Sequence, residues 1–99
     1  AEAIETARRA LAIQAQYFGE PSLPVASALA SVGIYQRLSE KWTESIDSYR
    51  KSLDMYRQLD ADKTVRVAWI IQNMAFSHWK LGQNAEAAAI CRDLLDRYQ

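Results

Sequence analysis

His78 and Cys91 are the only histidine and cysteine in the chain. A nucleophile needs a base within hydrogen-bond reach, and that base needs a third group to orient it. One pair offers at most one such constellation, and both residues read as packing residues: Cys91 takes a large core position in the last helical segment, and His78 sits late in the segment before it. No His-x-x-x-His, Cys-x-x-Cys, Gly-x-Gly-x-x-Gly or Gly-x-x-x-x-Gly-Lys segment occurs. Metal ligation, thiol exchange and phosphate cradling therefore lack their residues, and no catalytic group, metal or cofactor is expected.

A different chemistry is open to Trp69, Phe76 and Trp79, which stand among Gln72, Asn73 and Lys80. At helical spacing these side chains share one side of a helix. Rings bury large area at low entropic cost, an amide can bond an extended backbone, and an ammonium can meet a carboxylate. That combination is what a peptide-binding surface uses.

The scaffold that must position them is small. The 99 residues hold a single domain, and 49% hydrophobic with 24% charged residues is the balance of a packed chain. Twelve Lys and Arg against twelve Asp and Glu leave no net field to attract nucleic acid or an anionic membrane. One cysteine builds no internal disulfide framework, and no apolar run approaches the roughly 20 residues that cross a bilayer. A reducing, cytoplasmic setting fits best. A chain that opens on Ala1 is expected to be a piece of a longer protein.

An internal period of 42 residues organises the sequence. It superimposes Val25 on Val67, Ala26 on Ala68, Glu44 on Glu86, Arg50 on Arg92, Leu53 on Leu95, Asp54 on Asp96 and Tyr56 on Tyr98, without insertion or deletion. Run backwards, it places Glu2, Arg8 and Leu11 on Glu44, Arg50 and Leu53. The expected layout is the second half of one repeat over 1–20, a full repeat over 21–60 and another over 61–99. Apolar residues recur at three and four, which predicts five amphipathic helices. The first runs from about Glu2 to Tyr17 and stops at Gly19 and Pro21. The second follows an N-cap at Ser22, tolerates Pro24 in its first turn and ends near Leu38. The third spans about Trp42 to Leu59, with Ile46, Tyr49, Leu53 and Tyr56 inward and Asp47 to Lys51 as an exposed pair. The fourth ends near Leu81 before Gly82, and Asn84 is expected to cap the fifth.

Leu29, Val32 and Gly33 in the second helix, repeated as Ile71, Met74 and Ala75, combine packing residues with a small one that lets helices approach. Ser45-x-x-x-Tyr49-x-x-Ser52-Leu53, Ala87-x-x-x-Cys91-x-x-Leu94-Leu95 and Ala3-x-x-x-Ala7-x-x-Ala10-Leu11 share one rhythm, and Leu81-Gly82-Gln83-Asn84-Ala85-Glu86-Ala87 reads as a helix-to-helix turn. These segments resemble the tetratricopeptide repeat. Gln36 and His78 replace its first-helix Tyr, and its terminal Pro is absent. The 42-residue period exceeds the usual length of roughly 34. With the join Gly19-Glu20-Pro21-Ser22-Leu23-Pro24-Val25-Ala26, it is similar to the longer repeats of kinesin light chain and nephrocystin-like proteins.

The resemblance implies an all-α, right-handed stack of antiparallel helix pairs, whose first helices line a concave groove for a peptide or protein partner. It places Trp69, Gln72, Asn73, Phe76, Trp79 and Lys80 of the fourth helix, with Ser31, Ile34 and Arg37 of the second, on that groove. Asn73 resembles the Asn with which such grooves hold a ligand backbone, whereas its counterpart Ser31 departs from the pattern. The same aromatic stripe would also serve to pack against a following repeat, and the sequence leaves both readings open. Two other functions stay open. The apolar faces of the end helices, including Ile4, Leu11 and Leu95, would support a homo-oligomer, and the segment would also serve as the sensor part of a larger regulatory protein. Arg8, Arg9, Arg50, Lys51 and Arg57 are expected on solvated outer faces.

Overall fold

A computed structural model describes residues 2–97, the side chains of 94, 95 and 97 excepted. These residues form α1 (Glu2–Phe18), α2 (Leu23–Leu38), α3 (Trp42–Gln58), α4 (Val65–Lys80) and α5 (Asn84–Arg97). The helix starts follow the capping chemistry of the sequence. Ser22 is extended and accepts the Val25 N–H at 3.4 Å with Pro24 in the first turn, and Thr64 does the same for Val67 at 3.3 Å. The helix ends share a second device. Glu40, Asp60 and Gly82 adopt φ of 61°, 55° and 77° one residue past the cap. The next amide then reaches back: Lys41 to the Gln36 carbonyl at 2.8 Å, Ala61 to Tyr56 at 2.8 Å and Gln83 to His78 at 2.9 Å. This is the Schellman closure, and two of its three left-handed positions carry a side chain that disfavours them.

Each helix packs on its neighbours in the chain, so that α3 lies between α2 and α4 while α1 and α5 each lean on one helix. The result is an all-α solenoid of stacked helix pairs. Tyr49, Leu53 and Tyr56 of α3 fill the core with Ala26 and Ala30 of α2 and Val67, Ile70 and Ile71 of α4. The expected close approach is at Gly33, where a Cβ would stand 2.8 and 2.9 Å from two ring carbons of Tyr49. Three buried serines of α3 fasten it on both sides. Ser45 and Ser77 share a hydrogen bond of 2.8 Å, Ser48 donates to Gln36 Oε1 at 2.6 Å, and Ser52 donates to the Ala26 carbonyl at 2.6 Å. The Asp47 and Lys51 pair forms on the outer face at 3.2 Å.

Three sequence expectations need correction. Cys91 is exposed, because α5 packs on α4 alone among the described elements and nothing covers its other side. Ile4 is 4% exposed rather than part of an open end face, because it is on the side of α1 that packs on α2; Leu11 is half-buried, and the side chain of Leu95 lies outside the described residues. Asn84 is the first residue of α5 and not its cap. The Ala87 amide donates to the Gln83 carbonyl at 3.0 Å, so Gln83 holds the cap position. His78 fixes it there: it is 8% exposed, and its Nδ1 lies 2.6 Å from Gln83 Oε1.

Candidate functional site

The last two turns of α4 place Phe76 and Trp79 on the surface, 39% and 56% exposed, with Lys80 beside them. Phe76 and Trp79 stand three residues apart and tilt against each other with centroids 5.7 Å apart. The start of α3 brings a third ring. Trp42 meets the edge of Phe76 at 5.9 Å and 70°, and its carbonyl is anchored by the Ser45 hydroxyl at 2.8 Å. The Lys80 ammonium lies over all three rings, 5.4 Å from Trp79, 5.8 Å from Phe76 and 5.9 Å from Trp42. From the end of α2 the Arg37 guanidinium sits 5.7 Å from the Phe76 ring. Each such contact contributes roughly 0.5–1 kcal/mol at an exposed site, so several together hold the cations in place without burying them.

Beneath this surface Arg37 approaches Tyr49. Burial pushes the Tyr49 hydroxyl above its usual 10.0, and the neighbouring guanidinium pulls the other way. Neither the hydroxyl nor Arg37 Nε completes a hydrogen bond. Two buried donors are thus left unpaired under an aromatic surface that carries two positive charges.

The remaining expected groove residues scatter around this centre. Ile34 packs against the core. Ser31 donates to the Ser27 carbonyl at 3.2 Å and lines a separate groove between α1 and α2. Asn73 turns its amide back to the Trp69 carbonyl at 2.9 Å, so one of its donors is already used within α4. Gln72 joins Ala75, Phe76, Trp79 and Cys91 along a cleft between α4 and α5. Trp69 is exposed at the other end of α4, and among the described residues no ring contact joins it to the cluster. The sequence reading passed over Trp42, because it assigned the groove to the second and fourth helices only. Its signal was position: Trp42 starts α3 just beyond the end of α2, on the turn that abuts the end of α4.

Among the described residues no group of His, Cys, Asp and Glu could hold a metal ion. No helix among them is long and apolar enough to cross a membrane.

Two tetratricopeptide repeat models, both of the kinesin light chain-like kind, match the chain over residues 1–58 and 67–99. The chain belongs to the tetratricopeptide repeat family. A search of the curated proteins returned no match. Tetratricopeptide repeats are non-catalytic scaffolds for protein–protein interaction, and membership supports that general role here. In this tetratricopeptide chain Gln36 and His78 stand where the repeat has Tyr. Both are buried and bond outward from their helix, Gln36 to Ser48 on α3 and His78 to Gln83 at the next turn.

Proposed function

We propose that the chain binds a peptide or extended segment of a partner protein where the ends of α2 and α4 meet the start of α3, anchored at Trp42, Phe76, Trp79, Lys80 and Arg37. One observation carries this reading: the exposed rings of Phe76 and Trp79 and the half-buried ring of Trp42 surround a lysine ammonium with a guanidinium at their edge. A folded monomer gains little by leaving such rings in water, whereas a ligand that covers them buries large area and strengthens both cations by removing solvent. An acidic side chain or terminal carboxylate would meet Lys80 and Arg37, Gln72 would serve a ligand backbone, and Asn73 and Trp69 would extend the contact toward the other end of α4. In this reading the chain carries no catalysis and takes no cofactor, and works in the cytoplasm as one half repeat and two whole ones.

The test is capture of partners from lysate by the wild type, followed by titration of the bound peptide. Phe76→Ala is expected to weaken binding by about 2 kcal/mol or more, while Arg50→Ala on the outer face leaves it unchanged. Equal affinity for wild type and Phe76→Ala would place the ligand elsewhere. A second reading, self-association, is favoured by the exposed apolar group Ile13, Tyr17, Phe18 and Leu23 where α1 meets α2, with Tyr17 and Phe18 in edge contact at 4.9 Å. Sedimentation over a range of concentrations separates the two.

A further inference from the structure

The Lys80 ammonium is held by rings. It lies 5.4 Å from the Trp79 centroid, 5.8 Å from Phe76 and 5.9 Å from Trp42, and no ion pair among the described residues uses it. Three rings around one cation make an aromatic cage, in which the negative faces of the rings replace part of the water that the cation gives up. Trp42 comes from one repeat and Phe76, Trp79 and Lys80 from the next, so the cage is a junction between two repeats that are both in the structure. The 42-residue shift tells how open such a place stays once a further repeat is stacked on it. It carries Phe76 and Trp79 onto Ile34 and Arg37, which are half-buried, and Lys80 onto Leu38, which is 63% exposed although α4 and α5 lie beyond it. A repeat stacked on α4 would thus enclose the rings further and leave the place of the lysine open to solvent.

We propose that this cage receives the trimethylammonium group of a methylated lysine in the partner peptide, and that Lys80 occupies it in the unbound chain. The inference rests on the peptide-binding reading and names the side chain that the peptide brings. A plain lysine has no advantage over Lys80, because one hydrated ammonium would replace another that is already tethered at the site. A trimethylammonium keeps the charge, has no N–H to hydrate, and lays its methyl groups on Trp42, Phe76 and Trp79. Lys80 is the last residue of α4 and is exposed, so its flexible four-carbon stem swings out at little cost. Its displaced ammonium and Arg37, whose guanidinium sits 5.7 Å from the Phe76 ring, then face the ligand as two positive charges. A peptide that adds a third cation must bring carboxylates to meet them, so the methylated lysine belongs beside Asp or Glu. Membership of a family of protein–protein scaffolds favours a peptide over the choline headgroup of a lipid, which carries the same trimethylammonium.

The probes are tetramethylammonium chloride, with sodium chloride holding the ionic strength constant, and a capped Glu-Lys-Glu tripeptide with its lysine either trimethylated or unmodified. The chain has three tryptophans, so nitrogen-15 NMR of the indole N–H groups follows each one, with Trp69 as the internal reference away from the cage. Tetramethylammonium is expected to shift the Trp42 and Trp79 signals saturably, and the methylated tripeptide to bind roughly tenfold more tightly than the unmodified one. Lys80→Ala removes the occupant and is expected to bind tetramethylammonium at least about threefold more tightly. Trp79→Ala, at an exposed position, is expected to abolish the response of Trp42 while circular dichroism stays unchanged. Absence of a saturable shift in both wild type and Lys80→Ala, no gain in Lys80→Ala, equal affinity for the two tripeptides, or phosphocholine bound as tightly as the methylated tripeptide would overturn the proposal, the last by assigning the cage to a lipid headgroup. None of these outcomes bears on whether Phe76→Ala loses the captured partner peptide, so the cage and the peptide-binding reading fail separately.

Discussion

Replacing Gly33 by alanine sets two effects of opposite sign against each other. In an open helix the change would stabilise by about 1 kcal/mol, because alanine loses less backbone entropy on folding. At Gly33 the new methyl would stand 2.8 and 2.9 Å from two carbons of Tyr49, whose ring is fully buried and has no free space to enter. Overpacking of that kind costs roughly 1–3 kcal/mol, and a rigid aromatic neighbour puts it toward the upper end. The net expectation is a loss of about 1–2 kcal/mol, read as a lower urea midpoint at unchanged slope and a fall of roughly 4–8 °C in Tm per kcal/mol. The chain contains its own control. Under the 42-residue shift Gly33 becomes Ala75 and Tyr49 becomes Cys91, and both line the cleft between α4 and α5. Tyr49→Cys alone opens a cavity and costs about 3–5 kcal/mol, whereas adding Gly33→Ala to it refills part of the space. The double variant should therefore be more stable than the sum of the single losses by about 1 kcal/mol or more. A stabilising Gly33→Ala, or simple additivity with Tyr49→Cys, would refute the close approach of α2 and α3 at this point.

Tyr49→Phe removes a buried hydroxyl that makes no hydrogen bond, so it should be neutral or stabilising by up to about 1 kcal/mol in urea melts. The same variant tests alkaline behaviour: with the folded hydroxyl raised above 10.0, its contribution is full below that pH and is lost as pH rises through the folded value. Wild type should accordingly lose more stability than Tyr49→Phe above about pH 10. Glu40→Gly relieves a left-handed residue at φ 61° and should raise the thermal midpoint by the equivalent of about 1 kcal/mol. Cys91, being exposed, should react with a thiol reagent in native buffer at nearly the rate seen in denaturant; slow native labelling would return it to the core.

The helices and their packing faces were legible because their signals are local. Ser22, Pro24, Gly19 and Gly82 mark ends by backbone chemistry, and apolar spacing at three and four gives the inward stripe of Ile46, Tyr49 and Leu53 in α3. Gly33 was legible for the same reason, since a small residue at a packing position has few other uses. Cys91 was not, because burial depends on what lies on the far side of α5, and a periodic pattern gives the position without the neighbour. The Phe76 cluster was half legible. Phe76, Trp79 and Lys80 share one helix and a readable spacing, but Trp42 and Arg37 join them only through the tertiary turn where α2 ends and α3 begins. Trp69, equal in type and spacing, falls outside it.

The serine fastenings of α3 bear on how the molecule would respond to force. Ser45, Ser48 and Ser52 grip both neighbours of α3 through bonds that stop working once the helices slide by a fraction of a turn. The terminal helices α1 and α5 each lean on one neighbour only. Tension applied along the chain would thus peel the stack from its two ends, with small steps for α5 and α1, and break last and most abruptly at α3, the middle rung that shears rather than unzips.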